Sequence, residues 1–168
     1  MIHIYTGNGK GKTTAAIGLA IRAAGAGKRI FFGQFVKDMA YNEVALIRRQ
    51  IPQIEHELFG RGCFFGREPL PEDHEAAKNG LEKLKRVALS GEYQLIIMDE
   101  LNIAIKYNLL TVEEILAFLD LVPTDTEVVI TGRYARQELI DRADLVTEMK
   151  EIKHYFKEGL TSREGIEY

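Results

Sequence analysis

The segment TGNGKGKTT, residues 6–14, combines glycines, lysines and threonines in a pattern typical of phosphate binding. Glycines let backbone N–H groups approach oxyanions closely, and a helix that follows presents further unpaired N–H groups. Lys12 supplies a positive charge, Lys10 adds a second, and the Thr13 hydroxyl is placed to ligate Mg²⁺. We therefore predict that residues 7–14 bind the phosphates of ATP together with Mg²⁺.

This segment departs from the usual phosphate-loop motif at one position. The motif has a glycine six residues before its lysine, where this chain has Thr6, and a glycine follows instead at Gly7. The alternative is a glycine-rich turn without a ligand. Such a turn does not require two lysines between glycines at a strand–helix junction, so the sequence favours phosphate binding.

A second candidate lies in QLIIMDELN, where an apolar run ends in Asp99 and Glu100. Carboxylates at the carboxyl edge of a parallel sheet face the ligand crevice, and one of them would complete the Mg²⁺ shell directly or through water. Spacing does not decide which carboxylate contacts the metal. The alternative is structural, with Asp99 as a helix N-cap and Glu100 in the first helical turn.

A third candidate is Arg133, which follows the apolar run EVVIT and Gly132. At the same edge of the sheet, its planar guanidinium would bind a triphosphate or a substrate carboxylate. The alternative is an ordinary surface arginine.

Composition excludes several other kinds of protein. A net charge of −3 over 168 residues gives no electrostatic reason to expect nucleic acid or an anionic membrane as partner. Cys63 is the only cysteine, so no intrachain disulfide forms, and the four histidines are too dispersed for a zinc site. No signal-peptide core or membrane span is evident, so we expect a cytoplasmic protein.

Strands and helices alternate around these candidates. Predicted strands cover residues 2–5, 29–36, 54–58, 94–99, 127–131 and 145–149. Predicted helices cover 12–26, 42–50, 73–90, 112–121 and 135–141, and the first is apolar almost all round, hence largely buried. Residues 59–72 read as an irregular loop, and 150–168 are not assigned. The pattern predicts one α/β domain, residues 1–168, with the three-layer P-loop NTPase (RecA-like) fold and a mostly parallel sheet flanked by helices.

Several segments together resemble one family. They are TGNGKGKTTAA, IIMDEL, VVITGR, the downstream LIDRADLVTEMKEIKHYFKEG and the terminal GIEY. This combination is similar to the P-loop ATP:corrinoid adenosyltransferases, the cob(I)yrinic acid a,c-diamide adenosyltransferases of cobalamin biosynthesis and salvage. Many families share the phosphate loop alone, whereas its combination with DEL and ITGR is much more specific.

The resemblance implies transfer of the 5′-deoxyadenosyl group of ATP to a reduced corrinoid. Co(I) attacks C5′ of ATP, an adenosyl–cobalt bond forms, and the whole triphosphate leaves. ATP and the corrinoid are then substrates, Mg²⁺ accompanies ATP, and the acidic pair serves the metal instead of activating water. The resemblance also implies a homodimer and a reduced flavoprotein as electron donor.

By position, the resemblance assigns a role to each candidate. Lys12 counts as catalytic as well as phosphate-binding, Thr13 and Glu100 are the best Mg²⁺ ligands, Asp99 supports them, and Arg133 helps to hold the nucleotide. Triphosphate binding falls on eight consecutive residues, Gly7, Asn8, Gly9, Lys10, Gly11, Lys12, Thr13 and Thr14.

The loop at 59–66 matches the segment in which family members place aromatic side chains beneath the corrin ring. There they displace the lower axial ligand of cobalt, and four-coordinate Co(II) is then easier to reduce. Phe65 fits this catalytic role, whereas the position two residues earlier is Cys63, for which the adjacent Phe64 would substitute. The alternative is that Phe64 and Phe65 anchor the loop in the core.

Well-known family members carry a helical extension before the first strand, and this chain begins at Met1. We therefore expect either another element over the corrinoid or a more open pocket. Two rival functions stay open from sequence. They are a phosphotransferase or ATPase, which would release ADP, and a non-catalytic ATP-binding module, which would bind ATP–Mg²⁺ without turnover.

Overall fold

The computed structural model describes residues 1–37, 41–62 and 68–167, and its centre is one sheet of six parallel strands. The strand order across the sheet is β3-β2-β4-β5-β1-β6, and every neighbouring pair is parallel. The strands are β1 (Ile2–Thr6), β2 (Ile30–Phe35), β3 (Ile54–Phe59), β4 (Leu95–Asp99), β5 (Glu127–Thr131) and β6 (Leu145–Glu148). This confirms the α/β class and the parallel sheet.

Helices connect the strands and cover both faces of the sheet. They are α1 (Lys12–Gly25), α2 (Asn42–Gln50), α3 (Pro71–Ser90), α4 (Leu101–Lys106), α5 (Val112–Leu121) and α6 (Gln137–Arg142). A 3₁₀ turn, Tyr155–Glu158, lies within residues 150–168, for which the sequence pattern predicts no helix or strand. In the described parts of the chain, no helix combines the length and apolar character needed to cross a bilayer.

Side chains of β2 show how the three layers form. Ile30 and Phe32 pack in a cluster with α1 and α2, whereas Phe31 and Phe35 pack in a second cluster with α3, α4, α5 and α6. Successive strand residues point to opposite faces, so a strand that is apolar at nearly every position needs a helical layer on each side. The strand is accordingly buried along its whole length.

One prediction about the helices was wrong, and one helix lies outside the predicted ranges. Helix α1 is not largely buried, because its apolar residues occupy both faces: Ala16 and Ala20 pack on the sheet, whereas Ile21 on the other side is 48% exposed. Helix α4 is not among the predicted helices and is anticipated only in the structural alternative for Asp99 and Glu100, because its six residues directly after β4 are too few to show helical periodicity. Its position matters, because it redirects the chain immediately after Asp99 and Glu100.

Candidate active site

The glycine-rich loop joins the end of β1 to the start of α1. Thr6 is still part of β1, and the turn begins at Gly7, whose φ of 95° lies in the region that favours glycine. Gly9 approaches the residue after β6 so closely that its N–H donates to the Met149 carbonyl at 2.7 Å, and a Cβ on Gly9 would lie 2.7 Å from that oxygen. Gly11, with φ of 115°, begins α1 as its N-cap. The departure at Thr6 therefore only moves the turn by one residue.

Lys12 is the first residue of α1 and is buried. Its Nζ lies over the loop and donates to the carbonyls of Gly7 at 2.9 Å and Gly9 at 2.7 Å. Burial lowers the pKa of Lys12, although the nearby Glu100 acts in the opposite direction. The ammonium group is thus fixed at the helix start, where a phosphate would meet both the charge and the helix dipole.

Asp99 ends β4 and is fully buried. Its Oδ1 accepts hydrogen bonds from the hydroxyls of Thr13 at 2.8 Å and Thr131 at 2.7 Å. Its Oδ2 accepts from Gln34 Nε2 at 2.9 Å and from Lys37 Nζ at 3.1 Å. Four donors from the strand ends and α1 therefore converge on one carboxylate.

The charge of Asp99 is stabilised by these partners. Burial alone would raise its pKa, but the Lys37 charge and the hydrogen bonds from Thr131, Gln34 and Thr13 outweigh it and hold the pKa below its usual value. Burial would likewise lower the pKa of Lys37, and the Asp99 charge raises it instead. The alternative in which Asp99 is a helix N-cap is wrong, because Glu100 is the N-cap of α4 and makes no side-chain capping bond.

Glu100 faces the cavity, whereas Asp99 lies beneath it. The Glu100 backbone has φ of 57°, which a residue other than glycine rarely adopts, and the Glu100 side chain lines the cavity. Burial and the neighbouring Asp99 raise the pKa of Glu100, in contrast to the lowered pKa of Asp99. The two adjacent carboxylates thus occupy different electrostatic environments.

These groups surround a cavity of about 470 Å³. Its wall combines the start of α1, the end of β2, the start of α2 and the C-terminal segment. The lining residues are Lys10, Gly11, Lys12, Thr13, Thr14, Ile17, Lys37, Tyr41, Asn42, Glu43, Glu100, Gly165, Ile166 and Glu167. The volume lies within the range of ligand pockets.

A hydrogen-bonded chain connects Asp99 to the surface through β2 and β3. Arg48 lies 2.9 Å from Nδ1 of His56, whose Nε2 lies 2.8 Å from Oε1 of Gln34, and Gln34 donates to Asp99. An arginine can only donate, so Nδ1 of neutral His56 accepts and Nε2–H donates to the amide oxygen of Gln34. Arg48 therefore fixes the direction of the whole chain, so that the Gln34 amide N–H points at Asp99.

Three other predicted site residues, Lys10, Arg133 and Phe65, are not shown with their side chains directed at the phosphate loop. The Lys10 ammonium is directed to the C-terminal segment, where it contacts Tyr155, Ile166 and Glu167. Arg133 is exposed and lies outside the cavity lining, although its charge acts on Lys12 and Glu100. Phe65, with Cys63 and Phe64, lies outside the described residues.

Sequence reasoning missed several functional candidates. Gln34 is the one polar side chain in the apolar run IFFGQF, and that position was the available signal. Lys37 comes two residues after the end of β2, at the same sheet edge as Asp99. The C-terminal contacts had no such signal, because they join residues more than 140 positions apart.

The donor set fits Mg²⁺ bound together with phosphate. Mg²⁺ prefers oxygen ligands and usually takes one or two carboxylates, with phosphates and waters completing the octahedron. Thr13 and Glu100 both line the cavity and supply such oxygens. Within the described residues, no group of three or more histidine, cysteine, aspartate or glutamate side chains is placed to hold a metal ion.

Comparisons with known proteins agree on one family. The profile of the family described as ATP:corrinoid adenosyltransferase BtuR/CobO/CobP matches residues 1–168. A corrinoid adenosyltransferase from Pseudomonas aeruginosa is 34% identical over 98% of this chain and 82% of its own length. One from Escherichia coli K12 is 33% identical over 100% of this chain and 85% of its own length.

Solved structures with little sequence identity show the same fold. The flagellar accessory protein FlaH from Methanocaldococcus jannaschii superposes with a TM-score of 0.58 at 10% identity, covering 88% of this chain and 69% of FlaH. ATPases 2 and 3 of EssC from Geobacillus thermodenitrificans give a TM-score of 0.51 at 16% identity, covering 98% of this chain and 34% of that one. These likenesses confirm the predicted P-loop NTPase fold and nothing about the reaction.

Proposed function

The chain belongs to the ATP:corrinoid adenosyltransferase family, and we propose how the residues of this site divide that reaction among them. The enzyme is a transferase that uses ATP to adenosylate a corrinoid in cobalamin metabolism. In the proposed step, the electron pair of Co(I) attacks C5′ of ATP. The Co–C bond forms as the C5′–O bond breaks, and triphosphate leaves with the bonding pair.

The phosphate loop binds the triphosphate in this proposal. The backbone N–H groups of residues 7–14 and the start of α1 bind the phosphate oxygens, and Lys12 supplies the positive charge. A fixed positive charge stabilises negative charge as it develops on the leaving triphosphate. Support comes from the two loop carbonyls that already orient the Lys12 ammonium. Arg133 adds positive potential from the adjacent strand end.

Mg²⁺ would be held by Thr13 and Glu100 together with phosphate oxygens. When bound, it neutralises charge on the polyphosphate. Asp99 would support the metal site indirectly, because its carboxylate already accepts four hydrogen bonds and holds the Thr13 hydroxyl in place. The cavity position of Glu100 and the buried position of Asp99 support this division of roles.

The remaining features of the proposal come from the family resemblance. By that resemblance, Phe65 would lie beneath the corrin ring and displace the lower axial ligand, so that Co(II) would be reduced more easily. A reduced flavoprotein supplies the electron, and the enzyme acts as a cytoplasmic homodimer of single-domain subunits. Each of these features is a proposal to be tested by experiment.

The observation that carries the proposal is the cavity in which Lys12, Thr13 and Glu100 meet at the start of α1. The test is to identify the product formed from ATP and chemically reduced corrinoid. Adenosyl transfer predicts inorganic triphosphate in equal amount to the new Co–C bond. ADP as product would favour a phosphotransferase or ATPase, and ATP binding without turnover under any reductant would favour a binding module.

A further inference from the structure

The side chain of Lys10 contacts the C-terminal segment with all of its donors. Its Nζ donates to Tyr155 Oη at 3.0 Å, to the Ile166 carbonyl at 2.8 Å and to Glu167 Oε1 at 2.7 Å. An ammonium group has three N–H donors, so these three acceptors satisfy it. The hydrogen bond to Glu167, and then that to Tyr155, raises the pKa of Lys10, so the contact keeps its charge.

The acceptors are themselves joined into a compact unit, residues 155–167, which we call the C-terminal hook. The Tyr155 hydroxyl donates to Glu167, and the backbone N–H of Arg163 donates to the other oxygen of Glu167 at 2.8 Å. The Arg163 guanidinium lies 5.0 Å from the centre of the Tyr155 ring. Glu167 is only 16% exposed, so its charge is held by specific partners and not by bulk water.

The hook also forms part of the cavity wall. Gly165, Ile166 and Glu167 line the same space as Lys12 and Thr13. Ile17 and Tyr41 add side chains with apolar surface to this wall. If phosphates occupy the loop and the start of α1, the nucleoside must extend into the rest of the cavity, where the hook and the start of α2 are the remaining walls.

We propose that the C-terminal hook is the wall of the nucleoside part of the ATP site, and that Lys10 is a positioning residue that fastens this wall. In this assignment, the Lys10 side chain does not bind phosphate, and its backbone alone belongs to the phosphate loop. Lys12 is then the one lysine of the loop whose ammonium acts on the triphosphate. The inference rests on the proposed function, because it concerns which part of ATP meets the hook.

The test compares two ligands that share the phosphates but differ in the nucleoside. Affinities for ATP–Mg²⁺ and for inorganic triphosphate with Mg²⁺ are measured by calorimetry on the wild type, Glu167→Ala and Tyr155→Phe. Loss of a charged hydrogen bond at the hook should weaken ATP binding by about tenfold or more. Binding of inorganic triphosphate should not change, and in the adenosylation assay KM for ATP should rise with kcat unchanged.

Glu92→Ala is the matched control. Glu92 is also acidic and pairs with the exposed Arg29 at 2.7 Å, but it lies outside the hook and does not line the cavity. Its loss should leave both affinities unchanged. Lys10→Ala should reproduce the pattern of Glu167→Ala, and the double variant should be no weaker than either single one, because both remove the same contact.

Three results would overturn the inference. An equal loss of ATP and triphosphate affinity would mean that the hook supports the loop or that Lys10 binds phosphate. Tighter triphosphate binding in Glu167→Ala would mean that Glu167 competes with phosphate. Unchanged affinities in both hook variants would mean that the hook does not meet the nucleoside. Failure of the wild type to bind ATP would instead overturn the proposed function, so the two failures are distinguishable.

Tyr155→Phe keeps the ring and the net charge, so it tests the contact even if Glu167→Ala does not fold.

Discussion

The Thr13 hydroxyl donates a 2.8 Å hydrogen bond to Oδ1 of Asp99, across 86 residues of sequence. This bond ties the start of α1, where phosphate would bind, to the end of the buried strand β4. Asp99 is fully buried and Glu100 lines the cavity, so the two adjacent carboxylates have different tasks. The first holds the site together, and the second faces the ligand.

Substitution of each carboxylate by its amide should separate these tasks. Asp99→Asn leaves Lys37 without its buried partner, so the free energy of unfolding should fall by about 3 kcal/mol. Burial and Asp99 raise the pKa of Glu100, so its negative charge is unfavourable in the folded protein. Because Glu100→Gln removes this charge, its free energy of unfolding should be no lower than that of the wild type. Its adenosylation rate should nevertheless fall by about tenfold or more, as for loss of a metal ligand.

Urea denaturation and the rate as a function of Mg²⁺ concentration check this pair. Excess Mg²⁺ should partly restore Glu100→Gln. Equal destabilisation by both substitutions would show that Asp99 and Glu100 do not have separate structural and ligand-binding roles.

Lys12→Ala should reduce the affinity for ATP by about a hundredfold, the effect of losing a charged hydrogen bond of about 2–3 kcal/mol. Lys28→Ala is the control, because Lys28 is an exposed lysine shortly after the same helix. Equilibrium binding of ATP–Mg²⁺ measures both variants. Wild-type affinity in Lys12→Ala would refute the assignment of the phosphate loop.

The chain from Arg48 through His56 to Gln34 predicts a specific pH dependence. Burial, and then the charges of Arg48 and Lys37, lower the pKa of His56 from 6.5 to about 4. Between these values, the unfolded chain binds a proton at this histidine and the folded protein does not. Acidification from pH 6.5 towards 4 therefore lowers the free energy of unfolding, and full stability at this site returns above 6.5.

His56→Gln should remove this part of the slope. Unfolding free energies of the wild type and the variant, measured at several pH values in that window, give the difference that His56 contributes. If the difference in unfolding free energy between the two proteins does not change with pH across this window, His56 is not held neutral by its hydrogen bonds to Arg48 and Gln34.

Much of the site was predictable because its residues lie at strand ends. In a parallel sheet, the carboxyl ends of strands meet at one edge, so a polar residue after an apolar run is a strong signal. This reasoning places residues 7–14, Asp99, Glu100 and Arg133 at a common edge from the amino-acid sequence alone. It does not predict that the Arg133 side chain is exposed and does not line the cavity.

The remainder was not predictable from local pattern. Asp99 and Glu100 are adjacent in sequence, and only the positive φ of Glu100 and the start of α4 separate their environments. The contact between Lys10 and Glu167 depends on the path of the C-terminal segment, which contains little regular structure. Periodicity carries no information about such a path.

The family resemblance predicts a selective effect of Phe65→Ala. Activity with corrin-bound Co(II) and a reductant should be lost, because the lower axial ligand would stay on cobalt. Affinity for ATP should be unchanged, and supply of chemically prepared Co(I) should restore adenosylation. Phe156→Ala is the matched control, because Phe156 is 68% exposed and lies outside the cavity lining. Unaltered Co(II) reduction in Phe65→Ala would remove Phe65 from the mechanism.

We infer that the turn between β1 and α1 binds the polyphosphate of ATP. A crystal structure with ATP and Mg²⁺, without corrinoid, tests it most directly. We expect phosphates against the backbone N–H groups of residues 7–14, the Lys12 ammonium on phosphate oxygens, and Mg²⁺ within reach of Thr13 and Glu100. Nucleotide bound elsewhere, with Lys12 still on the carbonyls of Gly7 and Gly9, would contradict it.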